Sequence, residues 1–92
     1  MMAIAHNESA SSYQDAEKAL NQVKEHFSNY DCVVKTDDHG NEIVVRFPET
    51  KSHNPLAVTI DKKNFNHKSR LKEHLEFIER QLKENGVMVP TY

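Results

Sequence analysis

The chain has one cysteine, two glycines and no long apolar run, and each scarcity removes a class of function. Cys32 has no partner for an internal disulfide, which points to a reducing cytoplasm. Crossing a bilayer takes roughly 18 consecutive apolar residues, so no membrane contact is expected. Met1 to Glu8 shows neither the cationic segment nor the apolar core of a secretion signal and reads as a loose leader. Gly40 and Gly86 are too few to build a phosphate-cradling loop. His26, Ser28 and Asp31 are neighbours in sequence, but no Gly-x-Ser-x-Gly elbow supports a hydrolase. The six histidines (His6, His26, His39, His53, His67 and His74) are scattered rather than paired at the short spacings zinc requires. The expectation is a non-enzyme with no metal, cofactor or small-molecule substrate.

What is present suits one small soluble domain spanning residues 1–92, with 37% hydrophobic and 28% charged residues. Ser12-Tyr13-Gln14-Asp15 fits a capping box, with Ser12 as the cap. Ala16, Leu20, Val23 and Phe27 then fall on one helical stripe. Asp31 to Thr36 is rich in β-branched residues and reads as a strand. Asp37 to Asn41 is a turn in which Gly40 suits a positive φ. Beyond it Ile43, Val45 and Phe47 point one way and Glu42, Val44 and Arg46 the other.

Pro48 ends that strand, Glu49 to Pro55 is a polar loop, and Leu56, Val58 and Ile60 form the buried row of a third strand. A second helix carries Leu71, Leu75, Ile78 and Leu82, with Asn66 as its expected cap and Asn64 close behind. Gly86 suits a left-handed helix stop, with Val87 packing back onto the last turn. Residues 87–92 read as an extended tail. The predicted fold is α+β in αβββα order, a three-stranded antiparallel sheet with both helices on one face. Glu42, Val44, Arg46, Ala57 and Thr59 would line the other face, open to water or a partner. Phe77 sits about 240° around the second helix from Leu71 and either covers the sheet edge, the favoured expectation, or is exposed as a contact aromatic.

The formal charge of −2 conceals a segregation along the chain. Residues 1–49 carry nine acids and four bases, residues 50–72 six bases and one acid, and the last twenty residues four acids and two bases. The basic block crowds the start of the second helix with Lys62, Lys63, Lys68, Arg70 and Lys72. Cations facing the positive end of a helix dipole lose roughly 0.3–1 kcal/mol each. A bound phosphate would reverse that sign. The alternative is a solvated face on which Lys68 and Lys72 pair with Glu76 and Glu73.

Two stretches, "SSYQDAEKALNQVKEHFSNYDCVVKTDDHGNEIVVRFPE" and "NFNHKSRLKEHLEFIERQLKENG", give the chain a resemblance to the small phage-encoded anti-CRISPR proteins directed at type I-F surveillance complexes. The resemblance implies a cofactor-free, non-enzymatic inhibitor of the guide-RNA-loaded complex, one that prevents target DNA from binding or pairing. Its partners would be the Cas protein subunits of that complex. Acids of the first hairpin and its approach (Asp31, Asp37, Asp38 and Glu42) would meet basic Cas surfaces. Lys51, Lys62, Lys63, Asn66, Lys68 and Arg70 would approach guide-RNA phosphate or acidic protein. The element order also resembles that of double-stranded-RNA-binding domains, whose second helix begins with lysines and whose first hairpin turn holds a histidine, like His39. The Gly-Pro that accompanies that histidine is absent here, where Asp37-Asp38 precedes it.

Overall fold

A computed structural model describes residues 13–51 and 53–89. The chain forms α1 (Ala16–His26), β1 (Val33–Asp37), β2 (Glu42–Phe47), β3 (Leu56–Asp61), a single-turn α2 (Lys62–Phe65) and α3 (Lys68–Glu84). The strands form an open antiparallel sheet in the order β1-β2-β3. This is the predicted α+β fold in αβββα order, with α2 inserted between sheet and long helix. The loose leader and Ser12 lie outside the described residues, as does the tail beyond Val89.

The core follows from two periodicities. Ile43, Val45, Phe47 and Ile60 form the inner face of the sheet, buried with Ala19, Val23 and Phe27 of α1 and Leu71, Leu75, Ile78 and Leu82 of α3. Ala16, Leu20, Val34, Leu56 and Val58 pack partly buried against them. Phe27, Tyr30 and Phe47 meet edge to face with ring centroids 5.6–6.1 Å apart, the arrangement that ring quadrupoles favour.

The two long helices begin differently. Asp15, not Ser12, caps α1: its backbone is extended, the helix begins at Ala16, and its side chain accepts the Lys18 amide at 2.9 Å. Glu17 in the first turn and Lys24 and His26 in the last turn complement the dipole. The cap of α3 is His67, not Asn66, and it makes no side-chain cap hydrogen bond. Asn66 closes α2 instead, its amide bonded to the Lys62 carbonyl at 2.9 Å. The physical cause is Phe65, which is buried in the core and ends the separate turn of α2 before α3 begins. At the far end of α3 the predicted left-handed stop forms. Gly86 has φ 87°, its amide reaches the Lys83 carbonyl, and Val87 bonds back to Leu82 at 2.9 Å.

The first hairpin turn is tighter than its glycine alone suggests. Asp38, His39 and Gly40 have φ of 53°, 57° and 86°, and the Asp37 side chain accepts the Asp38 amide at 2.8 Å. Phe77 does not cover the sheet edge. It is 49% exposed, with the Arg80 guanidinium 6.0 Å from its ring centroid. Val87, by contrast, folds back onto the last turn of α3 and is buried.

Candidate functional site

Antiparallel register decides which of the candidate charges meet. Asp37 pairs with Glu42, and Glu42 pairs with Asp61. Three carboxylates therefore stand side by side across the outer face of the sheet, with Asp38 in the adjoining turn. Directly opposed like charges on neighbouring strands are destabilising. Immediately after Asp61 the Lys62 amide donates to the Asn41 carbonyl at 3.1 Å. That bond brings the first two cations, Lys62 and Lys63, to the same corner as the acidic hairpin.

The other three members of the basic cluster, Lys68, Arg70 and Lys72, lie in the opening of α3 just beyond. Neither α2 nor α3 has an acid in its first turn. Arg70 is partly committed, since its Nη1 donates to the Lys63 carbonyl at 2.7 Å and straps α3 to α2. Among the described residues the ion pairs involve only Glu79. The alternative pairs of Lys68 and Lys72 with Glu76 and Glu73 are not formed, which leaves these lysine ammonium groups to solvent or to a ligand.

Two candidates fall elsewhere. Asp31 precedes β1 by two residues, about 20 Å along the strand from Asp37 at roughly 3.3 Å per residue. Lys51 lies in the loop between β2 and β3, so the length of β3 separates it from Lys62. Asn66 is half-buried. Its carbonyl accepts the Gln14 amide at 2.9 Å, and its side-chain Oδ1 is buried with no hydrogen-bond partner.

Sequence reasoning missed the residues that hold this corner. Gln14 is buried, and its side-chain amide donates to the Phe65 carbonyl and to Gln22 Oε1, both at 2.8 Å. Gln22 in turn donates to the Lys68 carbonyl at 3.0 Å. Tyr13 forms a β-bridge with His67, their rings edge to face at 5.8 Å. These contacts fasten the entry to α1 against the α2–α3 junction. A polar groove of about 390 Å3 runs beside them, lined by Tyr13, Lys18, Asn21, Gln22, Glu25 and Lys68. The signal in the sequence was a glutamine just before the cap of α1 and another in its middle, too common a pattern to single out.

Burial, and then the neighbouring Asp31, push the Cys32 thiol above its ordinary pKa, which disfavours the nucleophilic thiolate. Among the described residues no three of His, Cys, Asp and Glu come together in a way that could hold a metal ion. No helix among them is long and apolar enough to cross a membrane. Comparison with protein-family models, with curated proteins and with solved structures found no match for this chain.

Proposed function

We propose that this protein is an anti-CRISPR inhibitor that works in the host cytoplasm. It binds the guide-RNA-loaded type I-F surveillance complex and blocks target DNA binding or hybridisation by steric and electrostatic obstruction, without catalysis. The sequence resemblance suggests the target. The observation that carries the reading is the meeting of both charge signs at one braced corner. Asp37, Asp38, Glu42 and Asp61 stand beside Lys62, Lys63, Lys68 and Arg70.

A nucleoprotein surface presents both complements of such a corner, phosphates of the guide and basic side chains that normally hold DNA. Electrostatic matching of this kind fixes register and suppresses wrong partners. Because guide–target pairing nucleates in a short seed, covering a few nucleotides there would stop the rest. The bracing by Gln14, Gln22 and Arg70 supports the reading too, since a preorganised surface loses less entropy on docking.

The second reading, a duplex-RNA-binding module, draws on the same lysines. Against it, Lys62 and Lys63 sit on a separate turn from Lys68, Arg70 is engaged with backbone, and the acidic row would repel a phosphate groove. The deciding experiment follows target-duplex capture by the loaded complex as protein is added. Capture should fall to near zero at equimolar protein. Charge reversal at Lys62, Lys63 and Lys68, or at Asp37, Asp38 and Glu42, should restore it. Unimpaired capture at excess protein removes the inhibitor reading, and a salt-dependent shift of plain RNA duplex would support the second.

A further inference from the structure

At the end of the sheet away from this corner, the outer face holds an open cleft of about 550 Å3. Its floor is apolar, formed by Val33, Pro48, Pro55 and Ala57, and Lys35 and Arg46 stand over it with Asp31 at the rim. Val33 is 51% exposed. Lys35 lies one pleat from Asp37 and diagonal to Glu42, yet neither it nor Arg46 forms an ion pair with any described residue. Two unpaired cations above an exposed aliphatic floor form a surface matched to a ligand that is both anionic and aliphatic.

We infer that this cleft docks an extended protein segment carrying carboxylates two residues apart, flanked by aliphatic side chains. The spacing comes from the register. Val33 pairs with Arg46 and Lys35 with Val44, so Lys35 and Arg46 are diagonal neighbours, about 7–8 Å apart. In an extended peptide, side chains at i and i+2 lie on one face about 6.7 Å apart. A Glu-x-Glu segment thus reaches both cations at once, and its neighbouring side chains cover Val33 and Ala57.

Two other occupants fit less well. Single-stranded RNA relies on aromatic platforms for its bases, and the outward positions of the strands (Val33, Lys35, Asp37, Glu42, Val44, Arg46, Ala57, Thr59 and Asp61) include no aromatic residue. A second copy placed face to face would set these cations against their own kind, an arrangement that costs affinity.

The test uses the full chain, nitrogen-15 labelled, titrated with a capped octapeptide of valines bearing glutamates at i and i+2. Comparators are the same peptide with the glutamates four apart, a version with glutamine in place of glutamate, and hexauridylate. The first peptide should shift the Val33, Lys35, Arg46 and Ala57 amides saturably. It should bind about two- to five-fold more tightly than either peptide comparator, the range that exposed ion pairs allow. The double variant Lys35→Glu/Arg46→Glu should abolish the shifts while keeping the dispersion of a folded spectrum. No saturable shift at several millimolar peptide would overturn the inference, as would equal binding of the glutamine peptide or tighter binding of hexauridylate. Concentration-dependent shifts of the same amides without peptide would assign the face to a second copy and overturn it too. The inhibitor reading is tested separately, by target-duplex capture, and rests on Asp37, Asp38, Glu42 and the lysines that follow β3 rather than on Lys35 and Arg46.

Discussion

Glu79 links the two long helices, and the strength of that link can be measured. Its Oε1 accepts from His26 Nε2 at 3.0 Å, its Oε2 accepts from the Tyr30 hydroxyl at 2.8 Å, and Lys83 Nζ stands 3.9 Å away. A hydrogen bond to a charged group contributes about 1.5–3 kcal/mol when sheltered. The Glu79 side chain is 27% exposed, so solvent screening lowers the expectation to about 1–2 kcal/mol. Tyr30→Phe keeps the ring against Phe27 and Phe47 and removes only the hydroxyl, and it should cost that amount in urea denaturation at pH 7. Glu79→Gln should cost about 1 kcal/mol, and the double variant about 1 kcal/mol less than the sum of the two singles, the coupling expected of direct partners.

Acidity supplies the second half of the test. The Tyr30 hydrogen bond, helped by those of His26 and the charges of His26 and Lys83, holds the Glu79 carboxyl below its usual 4.5 against the opposing effect of burial. A lowered folded pKa means the contribution is present above the unfolded value and lost as pH falls through the folded one. The gap between the native chain and Glu79→Gln should therefore narrow below pH 4.5. Strict additivity of the two substitutions would refute the link, and so would a gap unchanged between pH 7 and pH 3.

Burial first, and then the bond and charge of Glu79, push the Tyr30 hydroxyl up to about 12. Absorbance at 295 nm should therefore show one of the three tyrosines ionising late. Because this pKa is raised, the associated stability is intact below pH 10 and lost as pH climbs to about 12. Gly40→Ala should cost about 1–2 kcal/mol from the positive φ alone, because an added Cβ would sit 3.8 Å from the Ala16 Cβ, an ordinary contact. A loss below about 0.5 kcal/mol in thermal melts would contradict the left-handed assignment. Glu42→Gln, by relieving two like-charge pairings, should stabilise by about 0.5 kcal/mol at low salt. The gain should fade in 1 M salt, where the screening length is about 3 Å, and a gain insensitive to salt would have another origin.

Periodic features were legible because period alone fixes which side faces the core. The alternation of Ile43, Val45 and Phe47 and the stripe of Leu71, Leu75, Ile78 and Leu82 both emerged as read, and Gly86 with Val87 closed α3 as their types dictate. Features set by tertiary contact were not legible. Asn66 has the chemistry of a helix cap, but burial of Phe65 assigned it to the end of a separate turn. Phe77 is an aromatic that burial would favour, yet it lies off the buried stripe of α3 and stays half-exposed. Nothing local to His26, Tyr30 or Glu79 announced that they would converge, since Glu79 lies 53 residues from His26 and 49 from Tyr30.

The charge segregation is the instructive case, because it exists in the sequence and is rearranged in space. An acidic block and a basic block suggest two opposed faces. The antiparallel pairing of β2 with β3 instead lays Glu42 of the first block against Asp61 and delivers Lys62 and Lys63 to the hairpin that holds Asp37 and Asp38. The same geometry sends Asp31 and Lys51 to the far end of the sheet, where Lys35 and Arg46 stand unpaired. Each end of the sheet therefore carries both signs, with Asp31 and Asp37 about 20 Å apart by strand length. Lys35, one pleat from Asp37 and diagonal to Glu42, lies within the ~8 Å screening length of the acidic corner at physiological salt, so the two ends are electrostatically continuous through it. Affinity for a large assembly would then depend on whether its surface offers complements in that order along the strands, a requirement that one mixed corner alone would not impose.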